Sequence, residues 1–208
     1  QPKLQPNCVF QKELYAQKDI ALPAESLLRA AACENNCYLG KESRVIRWID
    51  AEKQLEIAEN CRLDLSATAG ERLMLGKGCS FRRLYAPVII IGGGAKELPL
   101  LPLEVPETNG VVHRDVDHIE SGQTLIGDVI AKGDFTMQAG AVLVGSLKVY
   151  GKLLLAEGAQ IQGSVFGEKK VELLGSNWIR GSVFSQGSIE VGSGCTFGRA
   201  QVVESVIA

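Results

Sequence analysis

The only two histidines in the chain, His113 and His118, bracket the segment HRDVDH, with Asp115 and Asp117 between them. Imidazole and carboxylate groups this close in sequence could hold a metal ion or supply a general base, for instance to deprotonate the acceptor that attacks a thioester in acyl transfer. No third ligand and no orienting partner is recognisable around them. The segment therefore reads first as a polar loop facing water, and His113 and His118 are the catalytic residues of an alternative, enzymatic reading only. The remaining chemistry-bearing residues are no better organised. Asp50, Asp64, Asp115 and Asp117 have no defined opposite number for paired acid and base work. Gly92, Gly93 and Gly94 precede Lys96 without the spacing or the hydroxyl of a phosphate-cradling loop, so a flexible joint is expected there. Trp48 and Trp178 are too isolated to form a stacking platform.

Six cysteines could suggest zinc or disulfides. Cys37, Cys61, Cys79 and Cys195 instead occupy positions of an internal repeat that are otherwise filled by Leu, Ser, Ala or Asn, which makes them small apolar fillers rather than ligands. Cys61 and Cys79 are expected one rung apart, side by side and poorly oriented for a bond. Cys8 and Cys33 lie outside those positions and are free to pair in an oxidising compartment. No metal and no cofactor is expected.

Composition bounds the rest. The chain has 208 residues, 46% of them apolar and 22% charged, with a formal net charge of −2. It can bury a core, and nothing in the bulk charge calls for nucleic acid. The modest cluster of Arg44, Arg47, Arg62, Arg82 and Arg83 reads as a solvated face. No apolar run is long enough to span a bilayer as a helix. The chain opens with Gln1 rather than Met, which leaves room for an upstream anchor or signal and so for a membrane-associated or periplasmic location beside a cytoplasmic one.

The strongest signal is repetition. LMLGKGCSF at 73–81 returns as IEVGSGCTF at 189–197. Between them, Gly127, Gly145, Gly163 and Gly181 are spaced by 18 residues, and a further small-residue column runs Gly140, Gly158, Ser176, Gly194. Apolar columns keep the same period: Phe135, Leu153, Val171, Ile189; Met137, Leu155, Leu173, Val191; Val129, Leu147, Val165, Val183; and Leu143, Ile161, Ile179, Phe197. Alternation at period two within each segment means strand rather than helix. Carried upstream, the template places Leu73 over Leu55 over Cys37, with Ile20 one residue short of the next step. Three short strands per 18 residues, separated by corners of glycine or other small residues, predict an all-β fold: a single-stranded parallel β-helix with three sides, whose coils stack at roughly 4.8 Å.

The resulting organisation is an N-terminal extension (1–19), a first β-helical array (20–91), a Gly/Pro-rich insert or linker (92–120) and a second array (121–208). The repeat rhythm is expected to break between Phe81 and about Gly127. Within the insert, LPLLPLEVP with Pro99, Pro102 and Pro106 cannot supply a continuous ladder of donors and should be extended. The final VVESVIA is apolar enough to cap the last coil or to join another molecule's.

The stretch from GSLKVYG to SGCTFG, within 127–198, resembles the bactofilins, bacterial polymer-forming cytoskeletal proteins with a β-helical core, and 20–81 resembles them more loosely. That resemblance implies self-association of β-helices without nucleotide, often at the inner membrane surface. Two arrays with an insert depart from the simplest bactofilin pattern. The rival likeness is to the hexapeptide acyltransferases, which also build 18-residue coils. Their aliphatic-glycine pair should recur every sixth residue, whereas Leu39-Gly40, Leu75-Gly76 and Val191-Gly192 supply it once per coil. The expectation is a non-enzymatic scaffold that forms homo-oligomers through coil ends or flanks, or positions a membrane or envelope protein, with no nucleic acid partner. The alternatives are an acyltransferase taking acyl-coenzyme A, with a loop histidine as base, and a membrane-tethered ectodomain for protein interaction.

Overall fold

In a computed structural model that describes residues 5–93 and 110–208, every regular element is a β-strand and every pair of named strands within a unit is parallel. The chain forms an all-β parallel solenoid in two compact units: residues 5–93 with Arg199–Glu204, and residues 110–198 with Ser205–Ala208. Expectations attached to Gly94, Lys96 and the prolines at 99, 102 and 106 lie outside the described residues.

In the second unit the columns read from sequence are the observed registers. Phe135 pairs with Leu153, Leu153 with Val171 and Val171 with Ile189 on one face. Val129, Leu147, Val165 and Val183 stack on the next, and Leu143, Ile161, Ile179 and Phe197 on the third. Inward residues alternate with outward ones, so Leu153 and Leu155 are 1% and 0% exposed while Leu154 between them is not buried. The C-terminal strand Glu204–Ile207 adds a rung to the last coil, with Val206 paired to Val183 and fully buried.

The first unit obeys the same rule with shorter steps. Ile20, Cys37, Leu55 and Leu73 stack as expected, and the column then continues to Ile89 after only 16 residues. Arg83–Ala86 likewise pairs with Ser66–Ala69, burying Leu84 over Ala67. The ladder therefore does not stop at Phe81. Nor does it wait for Gly127, since Val112–His113, His118–Ile119 and Thr124–Ile126 already form a coil paired to the one above. An 18-residue ruler loses the 16-residue steps Leu73 to Ile89 and His113 to Val129 because these corners are shorter, while the inward side chains keep their alternation.

Two corner devices account for the small-residue columns. At one corner the backbones of successive coils touch. A Cβ on Gly163 would lie 2.5 Å from the Gly145 carbonyl oxygen, and one on Gly145 would strike that of Gly127, so the column admits no side chain. At another corner one residue per coil turns left-handed: Gly122, Gly140, Gly158, Ser176 and Gly194 have φ of 68, 68, 72, 51 and 74°. In the first unit that corner is made by Glu25, Glu42, Asn60 and Gly78, at φ of 58, 59, 58 and 72°. Non-glycine residues there carry a backbone cost of about 1 kcal/mol each.

Because a Cβ on Gly158 would meet nothing closer than 4.0 Å, Gly158→Ala tests the backbone alone and should destabilise the unit by about 1 kcal/mol. Ser176→Gly, at the same corner one coil on, should stabilise by about 0.5–1 kcal/mol. Denaturant midpoints of the two variants should move in opposite directions.

Candidate functional site

The two histidines stand in strands, not in the loop expected of them, and on different faces of one coil. His113 pairs in the sheet with Asp128 and Val129 as neighbours, whereas His118 lies in the sheet of Phe135–Met137. The His113 Nε2 is 2.9 Å from the Ile126 carbonyl oxygen, an acceptor, so that nitrogen carries the proton. Ile119 points inward and is buried, which turns His118 outward. Its Nδ1 lies 2.6 Å from Asp117 Oδ1 and its Nε2 3.1 Å from Glu120 Oε1. Carboxylates on both nitrogens favour the charged imidazole: hydrogen bonds to Asp117 and then Glu120 raise its pKa, and Asp117 in turn is lowered by His118. Asp115 is exposed and His113 is not brought to His118, so HRDVDH makes no single constellation. Among the described residues no group of three or more His, Cys, Asp or Glu is placed to hold a metal.

The cysteines have a use that sequence spacing did not reveal. Cys61 and Cys79 occupy a corner where carbonyls of the preceding coil accept from short side chains. Ser43 Oγ donates to Pro23 O at 3.3 Å, Cys61 Sγ to Gly40 O at 3.3 Å, Cys79 Sγ to Ala58 O at 3.1 Å, and in the second unit Asn177 Nδ2 to Ala156 O at 2.6 Å. Serine, cysteine and asparagine alternate in one column because each is a small donor. All six thiols are free. The pairing of Cys8 with Cys33 is excluded by register: Cys8 precedes Val9, which pairs with Leu27, while Cys33 lies at the far end of the same strand opposite Ala16. The neighbour of Cys33 is Cys37, and burial raises both thiols.

The arginine cluster is partly neutralised. Arg44 and Arg62 stack in register, and Asp64 bridges them at 2.7 and 2.6 Å, which holds its carboxyl below the usual range, Arg44 contributing most. Arg47 meets Glu13 at 3.2 Å. Asp50 is raised by burial.

Sequence reading missed the outward columns, which set the chemistry of each flank. On one face of the second unit Ile130, Lys148, Phe166 and Phe184 point to solvent in register. Phe166 and Phe184 stack with centroids 5.2 Å apart, and the Lys148 ammonium lies 4.5 Å from the Tyr150 ring centre and 5.2 Å from that of Phe166. They line a shallow groove of about 370 Å³, beside the column Asp128, Ser146, Ser164, Ser182. Asp128 Oδ1 accepts from the Ser146 N–H at 2.7 Å, so that column fixes the corner as well as lining the groove. The signal was present in the same 18-residue period, three residues after the glycines.

NMR titration of His118 should give a midpoint above the ordinary value of about 6.5, returning toward it in Asp117→Asn combined with Glu120→Gln. The associated stability is complete below that ordinary value and is lost as pH rises through the folded-state midpoint. An unshifted midpoint in the unmodified protein would contradict the assigned contacts. Among the described residues no helix is long and apolar enough to cross a membrane. No protein-family model, no curated protein and no solved structure matches the chain, so the geometry of its coils carries the functional reading.

Proposed function

We propose that the chain is a non-enzymatic β-helical scaffold that self-associates, or positions a partner, through the ends and flanks of its coils, in the cytoskeletal or envelope-associated manner implied by its likeness to bactofilins. The observation that supports this most is an open edge. In the first coil of the second unit, Val112–His113, His118–Ile119 and Thr124–Ile126 each stand at the margin of their sheet among the described residues. Val111, Val112 and Ile126 there are 46%, 41% and 48% exposed. Unpaired backbone donors and acceptors beside exposed apolar side chains are a template for another strand.

The first unit is different at its own beginning. Val9–Ala16 runs alongside Leu27–Cys33, with a register shift between Phe10 and Glu13 and with Lys12 and Glu13 on its outer side. An irregular, charged cover of this kind blunts an edge. Association is therefore assigned to the second unit's first coil. The acyltransferase alternative would need a histidine set in a site with an acceptor group, whereas His113 and His118 stand in different sheets of their coil, which supports the scaffold instead.

Light scattering across a wide concentration range should show association that Val112→Lys with Ile126→Lys weakens at least tenfold in apparent affinity, about 1.4 kcal/mol. A monodisperse monomer at every concentration, or association indifferent to both lysines, would contradict the assignment. Heat on mixing with an acyl-coenzyme A would favour the enzymatic alternative.

A further inference from the structure

The corner column of the first unit places two thiols on adjacent coils. The backbone bridge between Arg62 and Ser80 sets the preceding residues, Cys61 and Cys79, in register on adjacent coils. Both thiols are free. They differ in access: Cys61 is 1% exposed, whereas Cys79 is only partly covered. They also share a polar corner, with carbonyl oxygens at 3.3 Å from Cys61 (Gly40) and 3.1 Å from Cys79 (Ala58).

We propose that Cys61 and Cys79 form a hydroperoxide-responsive dithiol, in which the accessible Cys79 is oxidised first and Cys61 closes a reversible disulfide between adjacent coils. In the first step the Cys79 thiolate attacks the peroxide. The S–O bond forms, the O–O bond breaks, and the departing hydroxide or alkoxide takes a proton. In the second step the Cys61 sulfur attacks the Cys79 sulfenic acid. The S–S bond forms, the S–O bond breaks, and the Cys61 proton leaves with the hydroxide as water. The two thiols lose two electrons and the peroxide gains them.

The fold supports each step. Cys79 is the partly open sulfur and Cys61 the buried one, so the thiolate that meets a peroxide from solvent is that of Cys79. Coil spacing of roughly 4.8 Å puts the two α-carbons within the span a disulfide allows. Side-by-side stacking gives an unfavourable torsion, and closure removes both S–H donors from the corner carbonyls, so the bond is readily reduced again. Cys33 and Cys37, the last residue of one strand and the first of the next, supply an internal comparison: both are 3% exposed and burial raises both.

The test is to treat the reduced full chain with one equivalent of hydrogen peroxide, alkylate it after unfolding and map the peptides. Cys61 and Cys79 should lose alkylation together and appear as one cross-linked pair lighter by two hydrogens, restored by dithiothreitol. The cross-link should form roughly tenfold or more faster than any between Cys33 and Cys37. In Cys61→Ser, whose hydroxyl the column already accepts at Ser43, the Cys79 sulfenic acid should persist and be captured by dimedone. Three results would overturn the proposal: a Cys79 that stays a thiol, a Cys79 that oxidises in the unsubstituted chain while Cys61 remains fully alkylated, or a Cys33–Cys37 cross-link forming as fast.

Discussion

The strands of each coil hydrogen-bond to strands of the coils beside it rather than to one another, and that constraint governs everything else. Val129 N–H donates to Ser146 O and Leu147 N–H to Ser164 O, both at 2.9 Å, and Gln160 N–H to Ala141 O at 2.8 Å. A donor therefore finds its acceptor one coil away, give or take one residue. Buried backbone groups must be paired, so a coil that lost the register would leave a whole row of them unsatisfied. The apolar columns follow from this ladder, because parallel in-register strands put like positions over like and only side chains of similar size then fill the interior without gaps.

Corners are where the constraint is hardest to meet, and they explain the polar and small residues that a core would otherwise exclude. The left-handed corner needs a residue that tolerates positive φ, the close-approach corner needs no Cβ, and a third position needs a short donor for the carbonyl behind it. Serine, cysteine and asparagine meet that last need interchangeably, as Ser43, Cys61 and Asn177 show. The consequence for function is that the cysteines are interior building residues whose chemistry depends on exposure, and Cys79 is the one in that column left partly open in the first unit.

Much of the second unit was legible in the sequence, because from Val129 to Phe197 its steps are 18 residues and its corners are mostly glycine. The first unit was legible only where its steps kept that length. Leu84 and Ile89 were missed since their coil is shortened, and the corner made by Glu25, Glu42 and Asn60 was missed because nothing in a glutamate announces a left-handed backbone. His113 and His118 looked like loop residues because they sit in two-residue strands beside charged neighbours, too short for alternation to register. The aromatic flank was overlooked for a different reason: outward residues have no packing constraint to repeat, so Ile130, Lys148, Phe166 and Phe184 share a column without sharing a chemistry.

Stacking of parallel coils is tested most directly by short-range proton contacts between backbones in NMR spectra of the intact chain. Leu153 should show contacts to Phe135 and Val171, and Leu55 to Cys37 and Leu73, with no contacts of hairpin type between successive strands of one coil. Antiparallel contacts between sequential segments such as Leu147–Val149 and Leu153–Leu155 would contradict the fold, and with it the scaffold built on its edges.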